Sequence, residues 1–554
     1  MKKTKTLTLT ILLIICLLFS ACDNATPPAS SDPGGTQTDS EPPVTEAPDV
    51  ETTEPTSPPE AVGDFEIFEA SILELSQAME SGELTAVELT EYYLERIRIY
   101  DPLINSIITI NPAALEDAAE LDAERAEDNI RGPLHGIPIL LKDNFDTTDM
   151  PTTSGSAALE KLMAVKDAFT VTKLREAGAI ILGKANMTEF ARHGMGVGSM
   201  IGQTLNPYDL TRTPGGSSAG TGAAIAANFA VAGTGSDTVN SIRSPSSANS
   251  LVGIRPTIGL VSRSGISPCS HTQDVGGPIA RTVSDAAILL GVMAGYDESD
   301  TAMELIKDME IPDYTQHLKK DGLEGKRIGL LRTNFGDDPE VLAVMEQAII
   351  DIKALGAEVI EIDEPLLSSD KLIAENDVQL YEQKLDMNAY FESQGTGSPI
   401  KNLTEYLASG KMHPSIVEWL EKAEAQEDPA NDPEYLARLE RNEETKAVAT
   451  KIMEENELDA FMYPLQQILV VRTDDARGQA GRNGIVASVM GWTAITLPGG
   501  FSTPDSTAPL GVPIGIEFMG PPLSEPTLIE IGYAYEQATM HRQAPRSVPD
   551  VVFP

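Results

Sequence analysis

Thr213-Pro-Gly-Gly-Ser-Ser-Ala-Gly-Thr-Gly222, an alanine-rich run to Ala227, and then Gly235-Ser-Asp-Thr-Val-Asn-Ser-Ile-Arg243 form the stretch on which the fold of this chain turns. Gly215, Gly216 and Gly220 allow tight turns that expose backbone N–H groups. Ala223, Ala224, Ala226 and Ala227 make the following helix slim enough to sit deep in a domain. Phe229 to Thr234 reads as a short buried strand whose end delivers the loop Gly235 to Ser241. Strand ends that open into Gly/Ser loops are where α/β proteins keep their chemistry. Two such loops here present Ser217, Ser218 and Ser241.

Working outward, Pro133 to Asn144 is an apolar strand that ends on Lys142. A lysine there is expected to be half buried, and desolvation favours its neutral amine, which accepts a proton from a serine near neutral pH. Ala179 to Gly183 reads as a further buried strand after a helix near Ala168 to Ala177. Arg327 to Leu331, a helix from about Pro339 to Leu355, and Ala357 to Ile362 predict a βαβ crossover. Strands alternating with helices give an α/β protein with a sheet covered on both faces. Ser71-x-x-Glu74 and Thr85-x-x-Glu88 are capping-box patterns, and Leu89, Tyr93 and Ile97 follow the second at the spacing of a core-facing helix. The segment 368–456 is charged and mostly helical, and is expected near the mouth of the site.

Lys142, Ser217 and Ser241 look like the Ser-Ser-Lys triad of the amidase signature family. The flanking Pro-Gly-Gly-Ser-Ser, Gly-Ser-Asp-Thr, Ser-Ile-Arg, Gly253-Ile-Arg-Pro-Thr257 and Gly277-Pro-Ile-Ala-Arg-Thr282 fit it as well. The resemblance runs from about Glu66 to about Ala538. Ser262 to Ile266 and His271 to Asp274 are most like the peptide amidase branch. The resemblance implies a single catalytic domain over 64–554, built on a large twisted mixed sheet whose closing strands are Thr493–Phe501 and Pro513–Phe518 and whose last core helix is Glu525–Ala538. It also implies that 368–456 shapes the substrate end of the site.

An amide needs an activated nucleophile, a proton donor for the departing nitrogen and an oxyanion site. The resemblance assigns attack to Ser241, proton relay to Ser217 after a cis peptide at Gly216–Ser217, and the base to Lys142. Backbone N–H groups of Thr238, Val239, Asn240 and Ser241 become the oxyanion donors. The family usually has two glycines where this chain has Val239 and Asn240, and valine is stiff, so either the loop is built differently or its side chains narrow the site. Asp237 and Arg243 are expected to pair and hold the loop. No metal and no cofactor are implied, and the six histidines show no metal-ligand spacing. Gly216-Ser-Ser-Ala-Gly220 also matches a nucleophile elbow, which would make Ser218 the nucleophile of an α/β-hydrolase esterase. That elbow needs a strand just before it, and Asn206 to Pro214 does not read as one. A third reading is a non-catalytic surface protein that captures an amide or peptide.

The chain has 84 acidic against 40 basic residues among 554, a net charge of −44, which repels nucleic acid and anionic lipid surfaces. Residues 1–21 carry Lys2, Lys3 and Lys5, an apolar run from Leu7 to Phe19, and Ser20-Ala21 before Cys22, the pattern of an export signal with a lipobox-like end. Cys22 is the expected lipidation site, placing the protein at a bacterial membrane or cell surface with two acyl chains as anchor. Export separates the chain from tRNA-dependent amidotransferase subunits, whose partners stay in the cytoplasm. Residues 22–63, rich in Pro, Ser, Thr and Glu, read as a disordered tether. With Cys16 removed and Cys22 acylated, Cys269 is left alone, so stability rests on a large core rather than a disulfide. Cys22→Ser is expected to leave an unprocessed precursor or release soluble protein on cell fractionation. A processed, detergent-requiring Cys22→Ser species would exclude lipidation there.

Overall fold

The computed structural model of the chain describes residues 65–475, 478 and 480–551. The export signal, Cys22 and the tether lie outside the described residues. Both capping boxes are formed: Ser71 caps the helix Ile72–Ser81 and Thr85 caps Ala86–Ile104, each with its glutamate returning to the cap N–H. Leu89 and Tyr93 are fully buried on the inner face of the second helix, and Ile97 nearly so.

The strands, in chain order, are β1 Ile107–Ile110, β2 Pro138–Lys142, β3 Ile180–Ala185, β4 Val197–Gly198, β5 Gly202–Gln203, β6 Ala232–Asp237, β7 Val252–Arg255, β8 Val275–Ala280, β9 Arg327–Leu331, β10 Glu358–Ile362, β11 Ala460–Pro464, β12 Thr493–Phe501 and β13 Pro513–Gly520. β4 and β5 form a small hairpin. The others make one sheet of 11 strands in the order β1-β3-β2-β6-β8-β7-β12-β13-β11-β9-β10. The sheet is mixed, with β2 parallel to both β3 and β6 and β9 parallel to β10 and β11. Every residue of β2, β3, β6, β7, β8, β11 and β13 is buried, which requires cover on both faces. Edge strand β10 keeps exposed glutamates.

The alanine-rich helix Ala219–Ala226 has every residue buried. It lies so close to the chain that a Cβ on Gly220 would sit 2.3 Å from the Asn186 backbone nitrogen and 2.4 Å from the Ser106 carbonyl oxygen. The strand after it differs from the sequence expectation. It begins at Ala232 rather than Phe229, because Phe229 to Val231 form the turn that leaves the helix, and it runs on through Gly235 to Asp237. Pairing with β8 as far as Asp237–Val275 explains the extension. Residues 369–456 are five helices with short links, the last being Pro433–Asn456. No helix among the described residues is long and apolar enough to cross a membrane.

Candidate active site

Because β2 and β6 are parallel neighbours, their carboxyl ends open at the same sheet edge. This puts Lys142, the last residue of β2, against the end of β6, where its backbone N–H donates to Thr234 Oγ1 at 3.1 Å. Its ammonium group meets Ser217 Oγ at 2.7 Å, Ser236 Oγ at 2.8 Å and the Ser236 carbonyl at 3.2 Å. Lys142 is fully buried, more so than the half-buried lysine the sequence suggests, because β3 and β6 flank it and both loops close over it. Burial pushes it from the ordinary 10.5 down to about 7, although the Asp237, Asp274 and Cys269 anionic forms pull the other way. Ser236 is absent from the sequence reading. Its hydroxyl also accepts from Asn144 Nδ2 at 3.0 Å, so Asn144 and Ser236 together fix the lysine head.

Ser217 follows a cis peptide after Gly216. Its carbonyl accepts from the Thr188 N–H at 3.0 Å. Ser218 ties the two serine loops together by donating its N–H to the Ser241 carbonyl at 3.2 Å. The Ser218 hydroxyl points instead toward the Ser236 carbonyl, at 3.4 Å, and the residue is fully buried. It caps the helix at Ala219 with no strand before it, so the strand-turn-helix context of a nucleophile elbow is missing. The Ser241 hydroxyl makes no hydrogen bond among the described residues and lines a cavity. The Ser217 and Ser241 hydroxyls are not hydrogen-bonded to each other; Ser217 Oγ is engaged by Lys142.

The loop Thr238 to Ser241 reaches Ser241 without a positive φ at any of its four residues, so it does not need glycine there. None of their backbone N–H groups donates a hydrogen bond among the described residues. The loop is held from outside. Arg243 Nη2 donates to the Val239 carbonyl at 2.7 Å and to the Gly484 carbonyl at 2.8 Å, and Ser488 Oγ donates to the Val239 carbonyl at 2.8 Å. Room for the Asn240 side chain comes from Gly484, where a Cβ would stand 2.4 Å from Asn240 Cβ and 2.7 Å from the Val239 carbonyl oxygen. The side chain at 240 is therefore matched by a missing side chain at 484.

Beneath the loop is a buried charge cluster. Arg243 bonds both oxygens of Asp237 at 3.1 Å and Glu517 Oε1 at 2.8 Å, and Arg255 adds a 3.0 Å bond to Asp237. All four side chains are fully buried. Burial pushes the Asp237 carboxyl up, but Arg243 and Arg255 outweigh it and hold the group at about 2. Asp237 Oδ2 also accepts the Ile242 N–H at 3.0 Å, which fixes the chain just past Ser241. The expected Asp237–Arg243 pair is thus one edge of a larger cage that includes Arg255, Glu517 and the Tyr463 hydroxyl.

Two cavities meet at Ala191 and Thr238. One, of about 310 Å³, contains Ser241, Val239 and Asn240 and is walled by Asp377, Trp419 and Arg482. The other, of about 380 Å³, contains Ser236, Ile266, Cys269, Asp274 and Tyr390. Helices from 369–456 supply a wall to each. His271, Glu382 and Asp386 bring ligand atoms within 4.8 Å of one another at the outer rim, which chain spacing does not reveal. Glu382 there already accepts from the Ser270, Thr272 and Tyr435 hydroxyls, and His271 Nδ1 pairs with Asp386 at 2.9 Å. His135 is an ordinary buried polar residue, with Nε2 2.9 Å from the Leu121 carbonyl.

The family model described as Amidase matches residues 88–529. Among solved structures, the native peptide amidase from Stenotrophomonas maltophilia superposes with a TM-score of 0.78 at 36% identity, covering 86% of this chain and 98% of its own. A probable amidase of Arabidopsis thaliana is 36% identical over 504 residues, 87% of this chain and 93% of the plant protein. A glutamyl-tRNA(Gln) amidotransferase subunit of Gloeothece citriformis is 36% identical over 492 residues, 86% of this chain and 99% of its own. The chain belongs to the amidase family, and it is a hydrolase of amide C–N bonds.

The packing of Asn240 on Gly484 gives a direct test. Gly484→Ala overpacks a site bounded by backbone and should cost about 1–3 kcal/mol in chemical denaturation. Asn240→Gly in the same chain should recover part of that loss, whereas additive losses would show that the two positions do not press on each other.

Proposed function

We propose that this amidase is an exported, lipid-anchored serine enzyme that hydrolyses a carboxamide through an acyl-enzyme, with C-terminal peptide amides as first substrate and small amides as second. The observation that carries the chemistry is the Lys142–Ser217 hydrogen bond at 2.7 Å inside a fully buried site that holds Lys142 near pH 7. A neutral Lys142 amine keeps two N–H groups for the Ser236 hydroxyl and carbonyl and turns its lone pair to the Ser217 O–H. Ser217 is then free to accept the Ser241 proton as Ser241 Oγ attacks the amide carbon. The developing oxyanion meets N–H groups of the Thr238–Ser241 loop. Return of the proton along Ser217 to the departing nitrogen breaks the C–N bond and releases ammonia or an amine. Water, activated by the same pair, cleaves the ester and restores Ser241.

Likeness to a solved peptide amidase along nearly its whole length supports the substrate reading. The export signal and Cys22 at the start of the sequence support the anchored location and set this chain apart from the amidotransferase subunits among its relatives. The bare-binder reading leaves the Lys142–Ser217 contact and the four unpaired loop N–H groups without a role.

Activity should follow the neutral form of Lys142. kcat/KM for an amidated peptide should rise about tenfold per pH unit below pH 7 and level off above it, since the depressed lysine loses its proton there. A flat profile from pH 5 to 8 would remove Lys142 as the base. A fluorophosphonate should label Ser241, and Lys142→Ala or Ser217→Ala should cut labelling by orders of magnitude while Ser218→Ala loses far less. Lys142→Ala combined with Ser241→Ala should be hardly worse than either alone, as for residues that act as a unit. An adduct found on Ser218 by mass spectrometry would restore the esterase reading.

A further inference from the structure

The cavity that holds Ser241 is lined by cationic and amide groups that the hydrolytic chemistry does not use. Arg482 lines it, yet its guanidinium forms no hydrogen bond and no ion pair within 4 Å among the described residues. Burial, reinforced by repulsion from Arg192, pushes Arg482 from 12.5 down to about 10, so it stays protonated at neutral pH. Arg192 lies in the same wall, flat over the Trp419 ring at 3.3 Å and donating only Nη1, to Gln379 Oε1 at 2.7 Å. Asn240 is 1% exposed, and neither Oδ1 nor Nδ2 has a partner. A guanidinium left unpaired is costly, and Arg482 lines the same cavity as Ser241.

The charge of this space fits one negative group. Arg438, the third arginine of the wall, is engaged by Glu434 at 3.1 Å and by the Asp377 and Ala374 carbonyls. His193 beside it is held neutral, since burial and then Arg192, Arg482 and His413 push it down to about 3. Asp377 is the one carboxylate of the wall and is occupied by Gln379 Nε2 at 2.9 Å. Arg482 and Arg192, neither of them paired with a carboxylate, against Asp377 leave a single positive charge to be balanced. A carboxylate meets that, and two planar guanidinium forks suit its geometry.

Building on the amidase reading, we infer that the preferred substrate is an amide that also carries a carboxylate, which Arg482 and Arg192 bind. On a protein with net charge −44, this cavity is a local cationic exception that selects acidic substrates without attracting polyanions.

The test compares matched amides with and without a carboxylate. N-acetylglutamic acid α-amide against the near-isosteric N-acetylnorleucinamide places the carboxylate in the acyl part, and N-acetylalanylglycine against N-acetylalanine propylamide places it on the leaving amine. On at least one side the carboxylate member should have a kcat/KM at least about tenfold higher, carried mostly by KM, with the advantage shrinking in high salt. Arg482→Gln should lower that ratio about tenfold or more, and Arg482→Lys should keep part of it. Neutral amides turned over equally well or better on both sides, or a preference undiminished in Arg482→Gln, would overturn the inference and leave the amidase reading standing. If no amide of either pair is hydrolysed, calorimetry on the Ser241→Ala protein decides. Succinamate bound at least tenfold more tightly than succinamide, with the difference lost in Arg482→Gln, supports the carboxylate site even if the chosen substrates are wrong. Equal binding overturns it.

Discussion

The arrangement depends on a lysine amine buried in the low-dielectric end of a sheet with three oxygen partners. An isolated ammonium there would be costly, and the site answers by lowering its proton affinity rather than by pairing it with a carboxylate. Asp237 is near enough to favour the charged form but is already claimed by Arg243 and Arg255. A carboxylate bonded directly to Lys142 would keep it protonated and useless as a base. The cage under the loop therefore separates two tasks. Asp237 organises backbone through arginines, and Lys142 is left to hydroxyls.

Parallel pairing of β2 with β6 is what makes this possible. It brings Lys142 to Ser236 across residues far apart in the chain, and the slim Ala219–Ala226 helix lets the Ser217 loop lie directly over them. Antiparallel β8 on the other side of β6 extends that strand to Asp237, so the loop to Ser241 starts from a fixed point. Helices of 369–456 then close the space above and bring Asp377, Trp419 and Tyr390 to the two cavities. Lys142 and Ser236 come from the sheet, while helices and the loop before Gly484 supply the outer walls of the cavities.

The loop Thr238 to Ser241 shows how a departure from a family pattern is absorbed. With ordinary backbone angles at all four residues, side chains at 239 and 240 are sterically allowed if a neighbour yields space. Gly484 yields it, and Arg243 ties the Val239 and Gly484 carbonyls to one guanidinium. The same close approach buries Asn240 with its amide unsatisfied.

Local sequence determined the elements whose causes are local. Capping boxes at Ser71 and Thr85, the apolar run ending on Lys142, the βαβ unit of β9 and β10 and the helical 369–456 segment are each written in spacing and residue type. Motif resemblance was enough to name Lys142, Ser217 and Ser241. What chain order could not show is anything that depends on long-range packing. Ser236 looked like one more small residue in a glycine loop until the β2–β6 pairing placed it on the lysine. Gly484 gains its meaning only where Asn240 packs on it. Arg482 carries no local mark at all, because an arginine is made significant by the partners it lacks, and only the tertiary structure decides which charges are left unpaired beside the nucleophile.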